Sequence, residues 1–298
     1  MTQPFIAGDW GTTQLRLFLC DSSCVLDRRF GHGVRALSRS PAEEFAALTR
    51  EWREQHRIER AYLTGMVGSR NGWVEVPYVP CPASLPEVQR ALYRFATGGL
   101  DIAIAPGLSC KSPLGAPDVM RGEETQLFGA LELLPSLTNG RQVVALPGTH
   151  TKWVELDEGR IVRFQTALTG ELFALLTTQS TLLATGDDSR GAFDDSAFAA
   201  AVESSRAPIP LLHALFQIRS RQLLQGVPSD RAKAALSALL IGADVDGAID
   251  LMNPTDVTLI GEPSLTSSYA QVLSARRIEA TILEGSACAL AGLRALAK

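Results

Sequence analysis

Six residues near the start of the chain, Gly8-Asp9-Trp10-Gly11-Thr12-Thr13, bring a carboxylate, glycines and two hydroxyls into one short stretch. Residues 4–7 before them read as a short buried strand, and residues 15–19 after them alternate as a second strand should. A turn of this composition can wrap a phosphate chain. Gly11 supplies backbone freedom, while Thr12 and Thr13 direct hydroxyl and N–H groups to one point. Asp9, at the end of the first strand, is placed to hold a hydrated Mg²⁺ beside those phosphates. Taken alone, the same six residues also describe an ordinary hairpin with polar turn residues.

The stretch has an echo. Val143-Val144-Ala145-Leu146 is another apolar strand, Pro147-Gly148-Thr149-His150-Thr151 another Gly-Thr turn, and Lys152-Trp153-Val154-Glu155-Leu156 another alternating strand. Aligning Gly11 with Gly148 puts Thr12 opposite Thr149. Two half-chains that each open on a strand–turn–strand hairpin predict two similar domains facing one another across a cleft, where a nucleotide polyphosphate is gripped from both sides. His150 reads as a polar residue of the phosphate turn rather than as a base or a phosphorylated intermediate.

Elements must position these turns. Residues 25–30 add a third strand, and Ser40-Pro41-Ala42-Glu43 carries the capping-box signature of a helix running to about Gln55. A strand is expected over 60–64, and Ser84-Leu85-Pro86-Glu87 repeats the capping signature for a helix to about Thr97. Residues 101–105 close this half as an apolar strand. Pro106, Gly107, Pro113, Gly115 and Pro117 break regular structure, so the boundary is set near Pro113, giving domains 1–113 and 114–298. A helix over 121–134 then leads to the second hairpin and a strand over 161–168. From about 170 to 250 the apolar spacing is helical, an insertion interrupted at Gly186-Asp187-Asp188, Pro208 and Pro210. A strand over 257–260, a helix over 265–273 and a final helix over 284–296 complete an α/β pattern.

Composition narrows the classes. A chain of 298 residues, 46% hydrophobic and 20% charged, has ample material for two buried cores and no stretch suited to spanning a bilayer. The net charge of −4 argues against nucleic acid as the main partner, since a phosphate backbone demands excess Lys and Arg. No basic segment followed by an apolar run opens the chain, and the five cysteines (Cys20, Cys24, Cys81, Cys110, Cys288) are scattered. Both features suit a cytoplasmic protein without disulfides or a zinc framework.

The order of motifs resembles the superfamily of acetate kinase, sugar kinases, heat-shock chaperone ATPases and actin, with Asp9–Thr13 as a first phosphate loop, Leu146–Thr151 as a second and Leu259-Ile260-Gly261-Glu262 as an adenosine loop. That resemblance implies two ribonuclease H-like (actin-like ATPase) domains with a cleft between them. More narrowly, the chain resembles the 2-dehydro-3-deoxygalactonokinase family. It does so through Asp9–Thr13, Gly65-Met66-Val67-Gly68-Ser69-Arg70-Asn71-Gly72-Trp73 with Tyr78-Val79-Pro80-Cys81-Pro82-Ala83, Asp118-Val119-Met120-Arg121-Gly122-Glu123-Glu124-Thr125-Gln126, and Pro147–Val154. The resemblance implies ATP-dependent phosphorylation of the 6-hydroxyl of 2-dehydro-3-deoxy-D-galactonate in galactonate breakdown. Other readings are a same-fold kinase acting on another sugar, a non-catalytic sensor, and a phosphohydrolase.

Roles follow from that implication. Asp9 partners Mg²⁺ through water. Gly11, Thr12 and Thr13 hold the ATP phosphates from one domain, Gly148, Thr149 and Thr151 from the other, and Gly261 and Glu262 approach adenine and ribose. Asp118 is the first choice for the base that receives the hydroxyl proton, with Thr125 seven residues on as in glycerol-type sugar kinases. Glu123 and Glu124 compete, and all three also suit mere helix capping and first-turn charges. A sugar-acid carboxylate calls for a guanidinium fork. Arg70 in its Gly-bounded loop leads, with Arg16 and Arg121 behind it, while Ser69, Asn71 and Trp73 supply hydroxyl contacts and an apolar wall. A homodimer is left open as the oligomeric state.

Overall fold

The computed structural model describes residues 3–21, 23–183, 194–205 and 209–298. Its first half runs β1 (Phe5–Trp10), β2 (Gln14–Cys20), β3 (Val25–His32), α1 (Pro41–Gln55), β4 (Arg60–Gly65), β5 (Val79–Pro80), α2 (Leu85–Arg90), β6 (Tyr93–Thr97), β7 (Leu100–Ile104), β8 (Leu108–Lys111), β9 (Pro117–Met120) and α3 (Glu123–Leu133). There follow β10 (Arg141–Leu146), β11 (Thr151–Asp157), β12 (Arg160–Ala167), α4 (Thr169–Thr178), α5 (Asp195–Ser204), α6 (Leu211–Gln225), α7 (Ser229–Met252), β13 (Asp256–Gly261), α8 (Pro263–Ala275), β14 (Glu279–Glu284) and α9 (Gly285–Leu296). Among the described residues no helix is long and apolar enough to cross a membrane.

The first sheet has the order β3-β2-β1-β4-β7-β6, with β1 antiparallel to β2 and parallel to β4. Its apolar alternation buries Ile6, Leu15, Leu17 and Leu63 against Phe45 and Trp52 of α1. That helix starts where both halves of the Ser40–Glu43 capping box form. The second sheet repeats the order as β12-β11-β10-β13-β14, with β10, β13 and β14 parallel. Two sheets in which a meander of three strands is followed by two parallel strands have ribonuclease H-like topology.

Three expectations change. The helix expected to reach Thr97 stops at Arg90, and residues 93–97 instead pair with β7, Tyr93 facing Ile104 and Thr97 facing Leu100. Gly98 and Gly99, at φ 54° and 80°, make the tight turn between those strands, a conformation glycine adopts without steric cost. The stretch read as a proline-broken boundary contains β8 and β9, which join β5 in a small three-stranded sheet. The chain divides into compact units at Arg141 rather than near Pro113, the first holding Met1–Arg141, Leu156–Phe164 and Gly285–Lys298 and the second Gln142–Glu155 and Gln165–Glu284.

The reason is the packing of α3 on α9 in the first unit. A Cβ added at Gly129 would stand 1.8 Å from the Cys288 carbonyl oxygen, and one at Gly292 would stand 1.8 Å from that of Thr125. Only glycine lets the two backbones approach so closely, so both helices belong to one core. Of the breaks expected in the helical insertion, Gly186-Asp187-Asp188 and Pro208 lie outside the described residues, while Pro210 directly precedes α6.

Candidate functional site

In the first unit, β1 ends at Trp10 and β2 begins at Gln14, so the turn is residues 11–13, closed by Gly11 N–H donating to the Gln14 carbonyl at 2.9 Å. The carbonyls of Gly11, Thr12 and Thr13 accept from the N–H groups of Val34, Arg35 and Gly33 at 3.1, 3.2 and 3.0 Å. These bonds fix the turn from one side and leave the Thr12 and Thr13 side chains exposed. Gly33 is therefore a structural support of this loop. A Cβ there would lie 2.3 Å from the Thr13 carbonyl carbon and 2.4 Å from that of Thr12, so Gly33→Ala must push the turn outward at a cost of about 1–3 kcal/mol. The expected result is a roughly tenfold higher KM for the nucleotide, checked by steady-state kinetics beside a thermal melt. An unchanged KM in a folded variant would show that the turn does not touch phosphate.

Asp9 and Arg16 face each other across β1 and β2, joined by an ion pair of 2.8 Å between Arg16 Nη2 and Asp9 Oδ2. Burial pushes the Asp9 carboxyl up from its usual range, and the Arg16 charge and hydrogen bond pull it back. Arg16 is thereby tied to Asp9 through Nη2. Among the described residues no group of three or more His, Cys, Asp or Glu is placed to hold a metal. A lone carboxylate with one oxygen already engaged fits Mg²⁺ held through water and phosphate oxygens rather than a protein cage.

Thr64, the register partner of Asp9 on β4, leads to a buried carboxylate. Glu124 is fully buried in the first turn of α3, where its Oε2 accepts from Gly122 N–H at 2.6 Å. Its Oε1 lies 3.1 Å from both the Thr64 and Thr125 hydroxyls, which are 2.7 Å from each other. Burial first and the neighbouring Glu123 second raise the Glu124 pKa to about 7, against hydrogen bonds that lower it. Glu123 is half-buried and accepts from the Arg121 N–H at 3.0 Å. Asp118 does not precede the helix directly: it lies on β9 opposite Cys110, half-exposed, with Val119 N–H on its Oδ1.

The Gly65–Trp73 loop is built on backbone contacts. Ser69 Oγ donates to the Met66 carbonyl at 2.7 Å, and Trp73 N–H to that of Val67 at 2.7 Å. Arg70 and Asn71 are exposed at its tip. Arg70 has no hydrogen bond or ion pair among the described residues. Ser69 is turned inward, and the half-buried Trp73 packs edge-on to Trp10 and Phe95. Arg121 braces the loop from beneath: its guanidinium lies 4.4 Å from the centre of the Tyr78 ring, and Nη2 donates to the Val76 carbonyl at 2.7 Å. Nε and Nη1 are buried without a partner, a desolvation cost that the ring contact offsets in part.

In the second unit, Thr149 is exposed in the turn after β10, and its carbonyl accepts from Glu171 N–H at 2.8 Å. Gly170 sits so close that a Cβ would be 2.3 Å from the Gly148 oxygen. His150 Nε2 meets Glu171 Oε2 at 2.5 Å. Thr151, by contrast, is fully buried with its hydroxyl 2.8 Å from the Tyr269 hydroxyl. Glu262 caps α8 by accepting from Ser264 N–H and Oγ–H on one carboxylate oxygen. Gly261 lies beside the Pro147 carbonyl. A cavity of about 580 Å³ opens beside Gly148, lined among others by Thr169, Gly170, Phe173, Ser268 and Gln271. That volume suits a nucleoside. None of these five lining residues carries a local sequence signal.

Two units with this strand order, each with a Gly-Thr hairpin beside its central strand, define an α/β protein of the ribonuclease H-like class. The fold is shared with the activator of 2-hydroxyisocaproyl-CoA dehydratase from Clostridium difficile, solved with ADPNP, at a TM-score of 0.51 and 11% identity over 99% of this chain and 92% of that one. The 2-keto-3-deoxy-galactonokinase family model matches residues 9–296, and the chain belongs to that family. The 2-dehydro-3-deoxygalactonokinase of Escherichia coli strain K12 is 37% identical, over 100% of this chain and 98% of its own length. The crystal structure of a Sinorhizobium meliloti protein assigned as a 2-dehydro-3-deoxygalactonokinase matches with a TM-score of 0.88 and 33% identity, over 98% of each chain.

Proposed function

We propose that the chain transfers the γ-phosphoryl group of ATP to the 6-hydroxyl of 2-dehydro-3-deoxy-D-galactonate. The observation that carries this reading is the nucleoside-sized cavity beside the Gly148 turn, in a chain whose family is named for that activity. Phosphoryl transfer asks for positioning, charge neutralisation and a proton acceptor rather than covalent chemistry. Thr12, Thr13 and Thr149 present exposed hydroxyls and turn N–H groups to phosphate oxygens. Mg²⁺, held through water by Asp9, would neutralise developing charge when bound. The substrate hydroxyl oxygen attacks the γ-phosphorus, ADP departs, and the hydroxyl proton goes to Glu124, toward which Thr64 and Thr125 already turn. Arg70 takes the substrate carboxylate, with Asn71 beside it. The first unit thus serves the sugar acid and first phosphate loop, the second the nucleotide, in the cytoplasm where ATP is supplied.

The test is a coupled ADP-release assay with Mg²⁺-ATP and 2-dehydro-3-deoxygalactonate, its gluconate epimer, galactonate, galactose or no sugar. Turnover confined to the 2-dehydro-3-deoxy acids is expected. ADP release without sugar would instead indicate a phosphohydrolase, and turnover with galactose alone would overturn the carboxylate assignment.

A further inference from the structure

We infer that Asp244, in the middle of α7, is the positioning residue of the nucleotide pocket, tying the second phosphate turn and two pocket walls to one carboxylate. The inference rests on the reading of this unit as the ATP site. Trp153 of β11 donates its Nε1–H to Asp244 Oδ1 at 2.8 Å. On the other oxygen, Oδ2, converge the Thr169 hydroxyl at 2.6 Å and the Tyr269 hydroxyl at 2.5 Å. Three elements other than α7 therefore end on one side chain.

Each donor is adjacent to something the nucleotide needs. Thr169 precedes Gly170, whose backbone packs on Gly148 and Thr149, and both Thr169 and Gly170 line the cavity. Tyr269 lines it from α8 and contacts the hydroxyl of Thr151, the first residue after the turn. An ionised carboxylate only accepts, so all three donors must point inward. With the Tyr269 hydrogen committed to Asp244, Thr151 donates to Tyr269, and the order of the chain is fixed as Thr151 to Tyr269 to Asp244. Trp153 and Tyr269 are 2% and 1% exposed, so water does not replace a lost partner. Asp244 itself does not line the cavity and acts only through these neighbours.

An amide at this position offers one acceptor oxygen. Asp244→Asn must keep that oxygen for the indole N–H, which cannot accept, and turn its NH₂ toward Thr169 and Tyr269. Both hydroxyls must then reverse, and the link to Thr151 loses its fixed direction. Tyr269→Phe keeps the ring and removes a single hydroxyl, and so remains informative where the amide variant does not fold.

The experiment is calorimetric titration of ATP, without acceptor, into wild type, Asp244→Asn and Tyr269→Phe, each with a thermal melt and a KM for the sugar acid. Expected is about a tenfold weaker Kd for ATP in Asp244→Asn and about three- to fivefold in Tyr269→Phe, with the sugar-acid KM within about twofold of wild type. An unchanged Kd in either folded variant overturns the inference, as does a parallel rise in both substrate constants, the mark of general destabilisation. A wild type that binds ATP yet phosphorylates no sugar acid would sink the acceptor assignment and leave Asp244 standing. A wild type that binds no ATP would sink the nucleotide reading together with this inference.

Discussion

Glu124→Gln is expected to lower kcat/KM for the sugar acid by about 10³-fold, within the range lost when a general base is removed, while the chain stays folded. The glutamine keeps an oxygen for the Gly122 N–H and an NH₂ for the threonine hydroxyls, so the side-chain volume and most contacts survive. What disappears is the ability to accept a proton. With its pKa raised to about 7, Glu124 is ionised often enough near neutrality to receive the hydroxyl proton and basic enough to hold it. The acid limb of kcat/KM against pH should therefore have its midpoint near 7 in wild type and vanish in the variant.

Stability supplies an independent sign. The folded state holds a proton on Glu124 that the unfolded chain releases between pH 4.5 and about 7. The contribution is fully present below 4.5 and is lost as pH rises through 7, about 3 kcal/mol in all. Glu124→Gln removes that slope from a melt series across pH 4–8. Asp118→Asn, on β9 of the small sheet opposite Cys110, should cost less than tenfold. The reverse pattern, with Asp118→Asn inactive and Glu124→Gln near wild type, would return the base to Asp118.

How much of this was legible in the chain depends on whether the signal is local. Both Gly-Thr hairpins and the capping boxes at Ser40 and Ser84 form as read, because turn chemistry and N-caps involve residues a few positions apart. The cap at Ser84 is real, but it starts a six-residue helix. Pairing with β7 and the Gly98-Gly99 turn decide residues 93–97, and that pairing is tertiary. Thr151 ends the second Gly-Thr stretch in sequence, yet its hydroxyl meets that of Tyr269, more than a hundred residues away. Gly33 and Gly170 matter because backbone from elsewhere passes within contact distance, which no one-dimensional pattern reports. Asp244 does have a local mark, a carboxylate directly after the apolar run Leu239-Leu240-Ile241-Gly242-Ala243.

Arg70→Met should weaken the sugar acid by about 10–150-fold, the range of about 1.5–3 kcal/mol for a hydrogen bond to a charged group, and leave the KM for ATP unchanged. The guanidinium stands on a loop that cannot easily reshape: a Cβ at Gly72 would meet the Val67 and Met66 carbonyl oxygens at 2.3 and 2.4 Å, and Val76 N–H is held by the Gly68 carbonyl at 3.0 Å. Arg121 fixes the far end of the same loop through Val76 and Tyr78. An exposed cation without a partner, on a support this tight, loses little freedom when a carboxylate arrives, which favours affinity. Arg70→Lys keeps the charge but not the planar fork, so it should recover only part of the loss. The discriminating readout is the KM for 2-dehydro-3-deoxygalactonate set beside the KM for ATP. If Arg70→Met leaves the first where wild type has it, the carboxylate is read elsewhere, and Arg121, whose Nε and Nη1 have no partner, becomes the group to substitute next.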